Sequence, residues 1–211
     1  MTKIITALKV QSKNRNRINV FLDGQFAFGL SRIVAAWLKV GQELTDEKIT
    51  SLLADDELES AYQRALNFIS IRDRSSAEIR QFLSKHNTPH HLIDETLKRM
   101  KGNHLLDDIN FAQTWIENRS EFKPRSRRAL SLELHHKGIP QEIIEQSLER
   151  IDEEELALRA AQKFARKYSH LDWIEFRKKM LGLLARRGFT YELSSRVISQ
   201  VWKEVNSLEL S

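Results

Sequence analysis

The fold is decided by residues 130–148, which read LSLELHHKGIPQEIIEQSL. Leu130 and Leu134 stand one helical turn apart, Gly138 follows them, and Pro140 comes two residues later. A glycine just past a helix end supplies a left-handed C-cap, and a proline at the first position of the next helix lacks an N–H that had no helical partner. The stretch therefore predicts two helices joined by a short junction.

The same pattern occurs 51 residues earlier and 50 residues later in the chain. Each junction has asparagine or glycine, followed two residues later by proline or threonine: Asn87 and Pro89, Gly138 and Pro140, Gly188 and Thr190. Each junction leads into apolar positions spaced i, i+1, i+4, i+5 and i+8, which is one stripe of an amphipathic helix. These stripes are Leu92, Ile93, Thr96, Leu97, Met100; Ile143, Ile144, Ser147, Leu148, Ile151; and Leu193, Ser194, Val197, Ile198, Val201.

A further helix opens each unit, marked by Ala65-Leu66 with Ile69, by Phe111-Ala112 with Trp115, and by Phe164-Ala165 with Tyr168. Ser75 and Glu78 have the spacing of a capping box for the first middle helix. Repeats of this length are typical of helical arrays in which each unit packs on its neighbour. We therefore predict a mainly α-helical protein of three tandem three-helix repeats in an elongated, curved array.

The N-terminal segment has the two-residue alternation of strands instead. Residues 3–30 form three such runs, and Asp23-Gly24 between the second and third is a strong hairpin signal. We predict a small three-stranded antiparallel sheet, a short helix over Ser31–Lys39, and a helix that begins at Asp46 with Thr45 as its cap. The predicted domains are 1–57 (sheet and short helices) and the repeats 58–108, 109–155 and 156–211.

Composition excludes several classes of protein. Only seven glycines and three prolines occur among 211 residues, which disfavours turn-rich β folds, and the chain has no cysteine. The lack of cysteine excludes disulfides, thiolate metal sites and a cysteine nucleophile, and it fits a reducing compartment. The first residues lack a signal-peptide pattern, and no apolar run approaches the length of a membrane span. We expect a soluble, cytoplasmic protein.

Residues that could support catalysis are few. His86, His90 and His91 with Asp94 have spacings that could hold a metal, but a solvated helix start explains them better than three or four convergent ligands. The carboxylates of Asp107-Asp108 precede a helix, where they satisfy free N–H groups and meet the positive end of the dipole. We expect no enzymatic activity, no metal and no cofactor.

Positive charge is unevenly distributed along the chain. The net charge of +5 includes −3 over residues 109–155 and +6 over residues 156–211. Around Pro124 a basic run enters a helix, and we expect its guanidinium groups to be free to reach phosphates or acidic side chains. A solvated helix face is the simpler alternative. The residues predicted to bind a partner or DNA are Arg72, Arg74, Arg119, Lys123, Arg125, Arg127, Arg128, Arg177, Lys178, Lys179, Arg186 and Arg187.

Four short motifs occur in order along the chain: Arg74-Ser75 with Glu78, Leu105-Leu106 with Asp107-Asp108, Phe111-Ala112 with Trp115 and Arg119, and Glu133-Leu134 with Lys137-Gly138-Ile139. Together they resemble the bacterial RecX family, the modulators of the RecA recombinase. The resemblance implies tandem three-helix repeats and no catalysis. It also implies binding to RecA, especially to its filament on single-stranded DNA, with suppression of ATP hydrolysis, strand exchange and co-protease activity.

Three functional hypotheses remain open on the sequence. The first is a monomeric RecA inhibitor whose partners are RecA and its single-stranded DNA filament, with weak direct DNA binding and no membrane contact. The second is a helical nucleic-acid-binding module that acts by competing for DNA. The third is a helical scaffold for an unrelated partner.

Overall fold

A computed structural model describes residues 1–208, with side-chain surroundings given through residue 205. The strands are β1 (Thr2–Val10), β2 (Arg17–Leu22), β3 (Gln25–Ser31) and β4 (Glu43–Thr45). The α-helices of these residues are α1 (Asp46–Ile69), α2 (Ser76–Lys85), α3 (His90–Gly102), α4 (Asp108–Phe122), α5 (Arg127–His136), α6 (Gln141–Leu148), α7 (Glu153–Tyr168), α8 (Trp173–Arg186) and α9 (Tyr191–Leu208). None of these helices is long and apolar enough to cross a bilayer.

The chain packs as two compact units. Unit 1 contains residues 1–74 and 79–106, and unit 2 contains residues 75–78 together with the chain from Asp107 onward. The first turn of α2 therefore belongs to unit 2 by its contacts. Each unit has its own buried apolar residues, and those of unit 2 come from all six helices α4 to α9.

The N-terminal sheet is antiparallel, as predicted, but it has four strands in the order β3-β2-β1-β4. Asp23 and Gly24 have φ values of 49° and 85°, which confirms the predicted tight hairpin because such turns need positive φ. The missed strand is β4, whose three residues pair with the start of β1. A strand this short shows no alternation, so only its pairing reveals it.

The predicted short helix over 31–39 is wrong. The segment makes a single 3-10 turn over Val34–Trp37, and Leu38 is already extended with φ −81° and ψ 143°. Isolated short helices are marginal unless packing stabilises them, and here only Ala35 of the turn is buried. The following helix does begin as predicted, because Thr45 Oγ1 accepts a hydrogen bond from the Lys48 N–H at 3.3 Å.

The predicted triplets of helices are confirmed as α1–α2–α3, α4–α5–α6 and α7–α8–α9, and in each triplet the first helix packs on the third. The junctions are also confirmed, since Asn87, Gly138 and Gly188 have φ values of 56°, 71° and 88°. One detail differs. Pro89 and Pro140 lie at the N-cap, one position before the first helical residue, because their ψ values near 145° are extended.

Within unit 2, each junction packs on the first turn of a preceding helix. Ser75 Oγ donates to the Lys137 carbonyl at 2.6 Å, and the Ser126 N–H donates to the Arg187 carbonyl at 3.0 Å. A Cβ at Gly188 would lie 2.5 Å from Ser126 Oγ, and a Cβ at Gly138 would collide with Ala77. Glycine is therefore required at both junctions for its backbone conformation and for its small size.

We predict that Gly188→Ala lowers the free energy of unfolding of unit 2 by about 2 kcal/mol or more. The left-handed conformation alone costs roughly 1–2 kcal/mol for an alanine, and the clash with Ser126 adds to it. The measurement is urea unfolding followed by circular dichroism.

The control for this prediction is Gly182→Ala, in α8 of the same unit. A Cβ there meets only the Arg186 side chain at an ordinary 3.5 Å, so helix propensity should raise stability by roughly 0.5–1 kcal/mol. Equal stability changes in the two variants would contradict the packing of the Gly188 junction described above.

Candidate partner-binding surface

The centre of the second repeat is the Glu133 carboxylate on α5, whose side chain is 16% exposed. Its Oε2 accepts hydrogen bonds from Trp115 Nε1 at 2.8 Å and from Arg119 Nε at 2.7 Å. Its Oε1 pairs with Arg125 Nη1 at 2.9 Å. One half-buried carboxylate thus binds two arginines and an indole. Charge-assisted hydrogen bonds of this kind are stronger than hydrogen bonds between neutral groups.

The Trp115 ring extends this network. The Arg119 guanidinium lies 4.5 Å from the ring centroid, and Lys137 Nζ lies 4.9 Å from it. Lys137 Nζ also pairs with Glu78 Oε1 at 2.9 Å. The ring therefore makes two cation–π contacts, and each of the two cations also forms an ion pair with a carboxylate.

The expectation that the guanidinium groups around Pro124 are free is therefore wrong for Arg119 and Arg125. Arg119 is on α4 and Arg125 is in the α4–α5 loop, whereas Glu133 is on α5. The three side chains meet only because α4 packs on α5. Their guanidinium groups stabilise the repeat and are half-buried.

Arg187 also has a structural role. Its Nη1 donates to the Pro124 carbonyl at 3.0 Å, and its guanidinium lies 5.0 Å from the Phe164 ring centroid. Burial lowers the pKa of Arg187 from its ordinary value, and the nearby charges of Arg125 and Arg186 lower it further. Positive charge is thus concentrated where the last junction packs on the α4–α5 loop.

Three predicted residues do point outward in the second repeat. Lys123, Arg127 and Arg128 are exposed, and their side chains make no ion pair with any residue of 1–208. We call these three residues the basic patch. Beside it Phe122, the last residue of α4, is 64% exposed; the sequence analysis did not identify it, because the exposure of a residue at a helix end depends on tertiary packing.

A shallow groove of about 650 Å³ lies next to the basic patch, between α5 and α6. Arg127 and Arg128 form one wall, and Ile144 and Leu148 contribute apolar surface. Three acidic residues, Glu142, Glu145 and Glu149, also line it, from α6 and its C-cap. The groove therefore has basic residues from α5 and acidic residues from the α6 segment.

In the third repeat the predicted residues divide in the same way. Arg177 Nη2 donates to the Tyr191 hydroxyl at 2.8 Å and lies 3.5 Å from Ser195 Oγ. The hydrogen bonds from Arg177 and Ser195 lower the pKa of Tyr191 from its ordinary value. Of the predicted residues on α8, Lys178, Lys179 and Arg186 remain exposed.

The two predicted residues near the first repeat lie before α2. The Arg74 guanidinium lies 4.0 Å from the Phe68 ring centroid, and its Nε donates to the Phe68 carbonyl at 3.4 Å. Arg72 is exposed, and its Nη1 donates to the Asp73 carbonyl at 2.8 Å. The Arg74 side chain therefore packs on Phe68, whereas the Arg72 side chain is exposed.

The predicted caps at Ser75 and Asp107 are confirmed, whereas Asp108 is the first residue of α4 and caps the start of α2 instead. The Glu78 N–H donates to Ser75 Oγ at 3.1 Å, and the Ser75 N–H donates to Glu78 Oε2 at 3.3 Å, which completes the capping box. Asp107 Oδ1 accepts from two N–H groups of the first turn of α4, and Asp108 Oδ1 accepts from the Ser76 N–H at 2.8 Å. These carboxylates are thus occupied in holding helix starts.

The histidines considered as metal ligands lie in ordinary surroundings. His86 Nδ1 is 2.7 Å from the Phe82 carbonyl, and Asp94 pairs with Arg80 at 2.6 Å. Among the residues that the structure describes, no three His, Asp or Glu side chains converge in a way that could hold an ion.

We predict that Glu133→Gln lowers the free energy of unfolding of unit 2 by about 2 kcal/mol. The glutamine keeps the shape but removes the charge that two arginines share, and bonds to charged groups contribute roughly 1.5–3 kcal/mol each. The control is Glu192→Gln, at an 87% exposed side chain 3.9 Å from Arg196, which should change stability by less than about 0.5 kcal/mol. Equal effects in urea unfolding would contradict a structural role for Glu133.

Comparisons with known proteins identify the family. Four family models match successive segments: the N-terminal domain of regulatory protein RecX over residues 3–45, and the first, second and third RecX three-helix domains over residues 61–100, 107–148 and 152–198. RecX proteins of Listeria monocytogenes serotype 4a and Bacillus subtilis are each 30% identical over 207 and 202 residues. These alignments cover 96% and 93% of this chain and 77% and 76% of the relatives.

Solved structures agree with the sequence matches. A crystal structure of regulatory protein RecX is 25% identical with a TM-score of 0.72, and it covers 92% of this chain and 98% of its own. RecX from Lactobacillus salivarius shares the fold with a TM-score of 0.60 at 24% identity, over 70% of this chain and 97% of its own. With an N-terminal sheet and three matched three-helix domains in the family's order, the chain belongs to the RecX family of regulatory proteins.

Proposed function

We propose that this protein binds the RecA recombinase, especially its filament on single-stranded DNA, and inhibits ATP hydrolysis, strand exchange and co-protease activity without catalysis of its own. The observation that carries the proposal is the match of all four family segments along one chain. The relatives are named regulatory proteins, which fits a protein that acts by binding another. Action in a reducing cytoplasm, in DNA repair and recombination, is part of the same proposal.

The basic patch is the surface we propose for this contact. The network around Glu133 holds Arg119 and Arg125 inward, so the loop between α4 and α5 has a defined conformation. Lys123, Arg127 and Arg128 then project from a supported backbone, and a supported side chain loses less entropy on binding. Their charges suit acidic side chains of RecA and the phosphates of the DNA in its filament.

We predict that the triple variant Lys123→Glu, Arg127→Glu, Arg128→Glu inhibits the RecA ATPase on single-stranded DNA at least about tenfold more weakly than the native chain. Charge reversal replaces attraction by repulsion at the contact, and like-charge pairs at an interface are costly. The native interaction should also weaken as salt is added, because exposed charges are screened. The measurement is the concentration of protein that halves ATP hydrolysis, at two salt concentrations.

A matched control carries the same change in net charge on unit 1. Lys85→Glu, Lys98→Glu and Lys101→Glu alter three exposed lysines of α2 and α3. We expect this variant to inhibit RecA within about twofold of the native protein, because the contact is local to the basic patch. An effect of net charge alone would weaken both variants equally. Unchanged inhibition by the first variant, with circular dichroism intact, would remove the basic patch from the mechanism.

One observation favours the second candidate function, a nucleic-acid-binding module that acts by competing for DNA. Phe122 is 64% exposed directly before Lys123, and exposed aromatic rings among cations are the surfaces on which unpaired bases stack. Affinity for single-stranded DNA alone, compared with RecA-coated DNA at fixed salt, separates the two functions. Strong preference for the coated strand supports RecA binding, equal affinity supports competition, and binding to neither supports a scaffold for another partner.

A further inference from the structure

Unit 1 contains a pocket of about 730 Å³ between the N-terminal sheet and α1. We call it the N-terminal pocket. Its walls come from the β1–β2 turn, from the end of β3 with the 3-10 turn, and from the outer face of α1. Arg32 and Arg64 line it from opposite elements, together with the side-chain amides of Asn14, Asn16 and Asn67. The pocket therefore offers mostly hydrogen-bond donors with fixed positive charge.

Glu59 also lines this pocket, and its carboxylate, like that of Asp56, is paired with an arginine. Glu59 is buried, its Oε1 accepts from Gln63 Nε2 at 2.8 Å, and its Oε2 pairs with Arg99 at 2.7 Å. Asp56 is also buried and pairs with Arg17 at 2.8 Å. These ion pairs leave the charges of Arg32 and Arg64 uncompensated at the pocket.

Arg32 and Arg64 have no ion-pair partner among residues 1–205, and both are exposed. The backbone N–H of Arg32 donates to the Asn16 carbonyl at 2.8 Å. Two arginines that line one pocket without an ion-pair partner suit an anion, and the planar fork of arginine matches a phosphate. A phosphate-bearing ligand therefore fits the charge of the pocket.

The apolar residues of the pocket restrict the class of ligand further. Ile33 and Ala36 line it, and Trp37 follows Ala36 on the same 3-10 turn with 87% of its surface exposed. Ile33 is 60% exposed as well. Trp37 is not itself a lining residue, but it is the chain neighbour of Ala36, which is one. An exposed indole near arginines combines a stacking surface with phosphate binding, as in single-strand-binding proteins.

We propose that the N-terminal pocket and Trp37 form a binding site for single-stranded nucleic acid. Arg32 and Arg64 bind successive phosphates, Asn14 and Asn16 hydrogen-bond to the strand, and the indole of Trp37 stacks on a base. A duplex does not fit this arrangement, because its bases are already stacked on one another. The inference goes beyond the proposed function, since it places a strand-binding site on unit 1, whereas the basic patch and Phe122 belong to unit 2.

The experiment uses the full chain and an oligothymidylate of about 20 nucleotides, with tryptophan fluorescence as the signal. Stacking on Trp37 quenches that fluorescence, and Trp37→Leu should abolish the quenching and weaken binding roughly tenfold. Arg32→Glu with Arg64→Glu should weaken binding by tenfold or more. It should also reduce the slope of log affinity against log salt by about 1.4, because each phosphate contact on a single strand contributes about 0.7.

The control variant is Lys48→Glu with Lys98→Glu, two exposed lysines of unit 1 outside the pocket. It has the same net charge as the double arginine variant and should bind the oligonucleotide within about twofold of the native chain. Equal weakening in the control overturns the proposal, because the effect would then be one of net charge. Quenching that persists in Trp37→Leu also overturns it.

Two other ligands test whether the site binds a nucleic-acid strand or another kind of anion. Poly-glutamate that quenches Trp37 as strongly as the oligonucleotide would identify an acidic peptide and overturn the assignment. Thymidine monophosphate that binds as tightly as the oligonucleotide would overturn the claim that a strand is bound. The basic-patch variant described above should keep the quenching, so a failure here is separate from a failure of RecA inhibition.

Discussion

The left-handed junction packed against the start of a preceding helix is the constraint on which the repeats of unit 2 depend. Gly188 and Ser126 approach so closely that a side chain at the junction has no room, and the Ser126 N–H donates to the carbonyl of Arg187. At the preceding junction the donor to the Lys137 carbonyl is the Ser75 hydroxyl. A helix start has unpaired N–H groups, and a helix end has unpaired carbonyls, so each satisfies part of the other's hydrogen bonding.

This packing explains why the basic residues have two different roles. Arg187 belongs to a junction, so its side chain reaches the Pro124 carbonyl instead of solvent. Arg119 and Arg125 flank the α4–α5 loop and are held by Glu133. The cations that hold the loop in place leave Lys123, Arg127 and Arg128 exposed on it. Structural and exposed charges thus alternate within one short stretch of sequence.

Local sequence patterns were enough to predict the parts of the fold that depend on neighbouring residues. The caps at Thr45, Ser75 and Asp107 and the positive φ at Asn87 and Gly138 involve contacts within a few residues, and all are confirmed. The strand β4 was missed, because its evidence is a pairing with β1 more than 35 residues away. The N-terminal pocket was missed for the same reason, since Arg32 and Arg64 lie 32 residues apart.

The sequence by itself determined the helix triplets, the hairpin and the junctions, because helix periodicity, capping and backbone preference act over short distances along the chain. It also indicated the family through its motifs. Only the tertiary structure decided which arginines are paired with Glu133 and which remain exposed, and that Trp37 lies in solvent while Trp115 is half-buried. Charge pairing and burial depend on distances in space between residues far apart in sequence, and packing sets those distances.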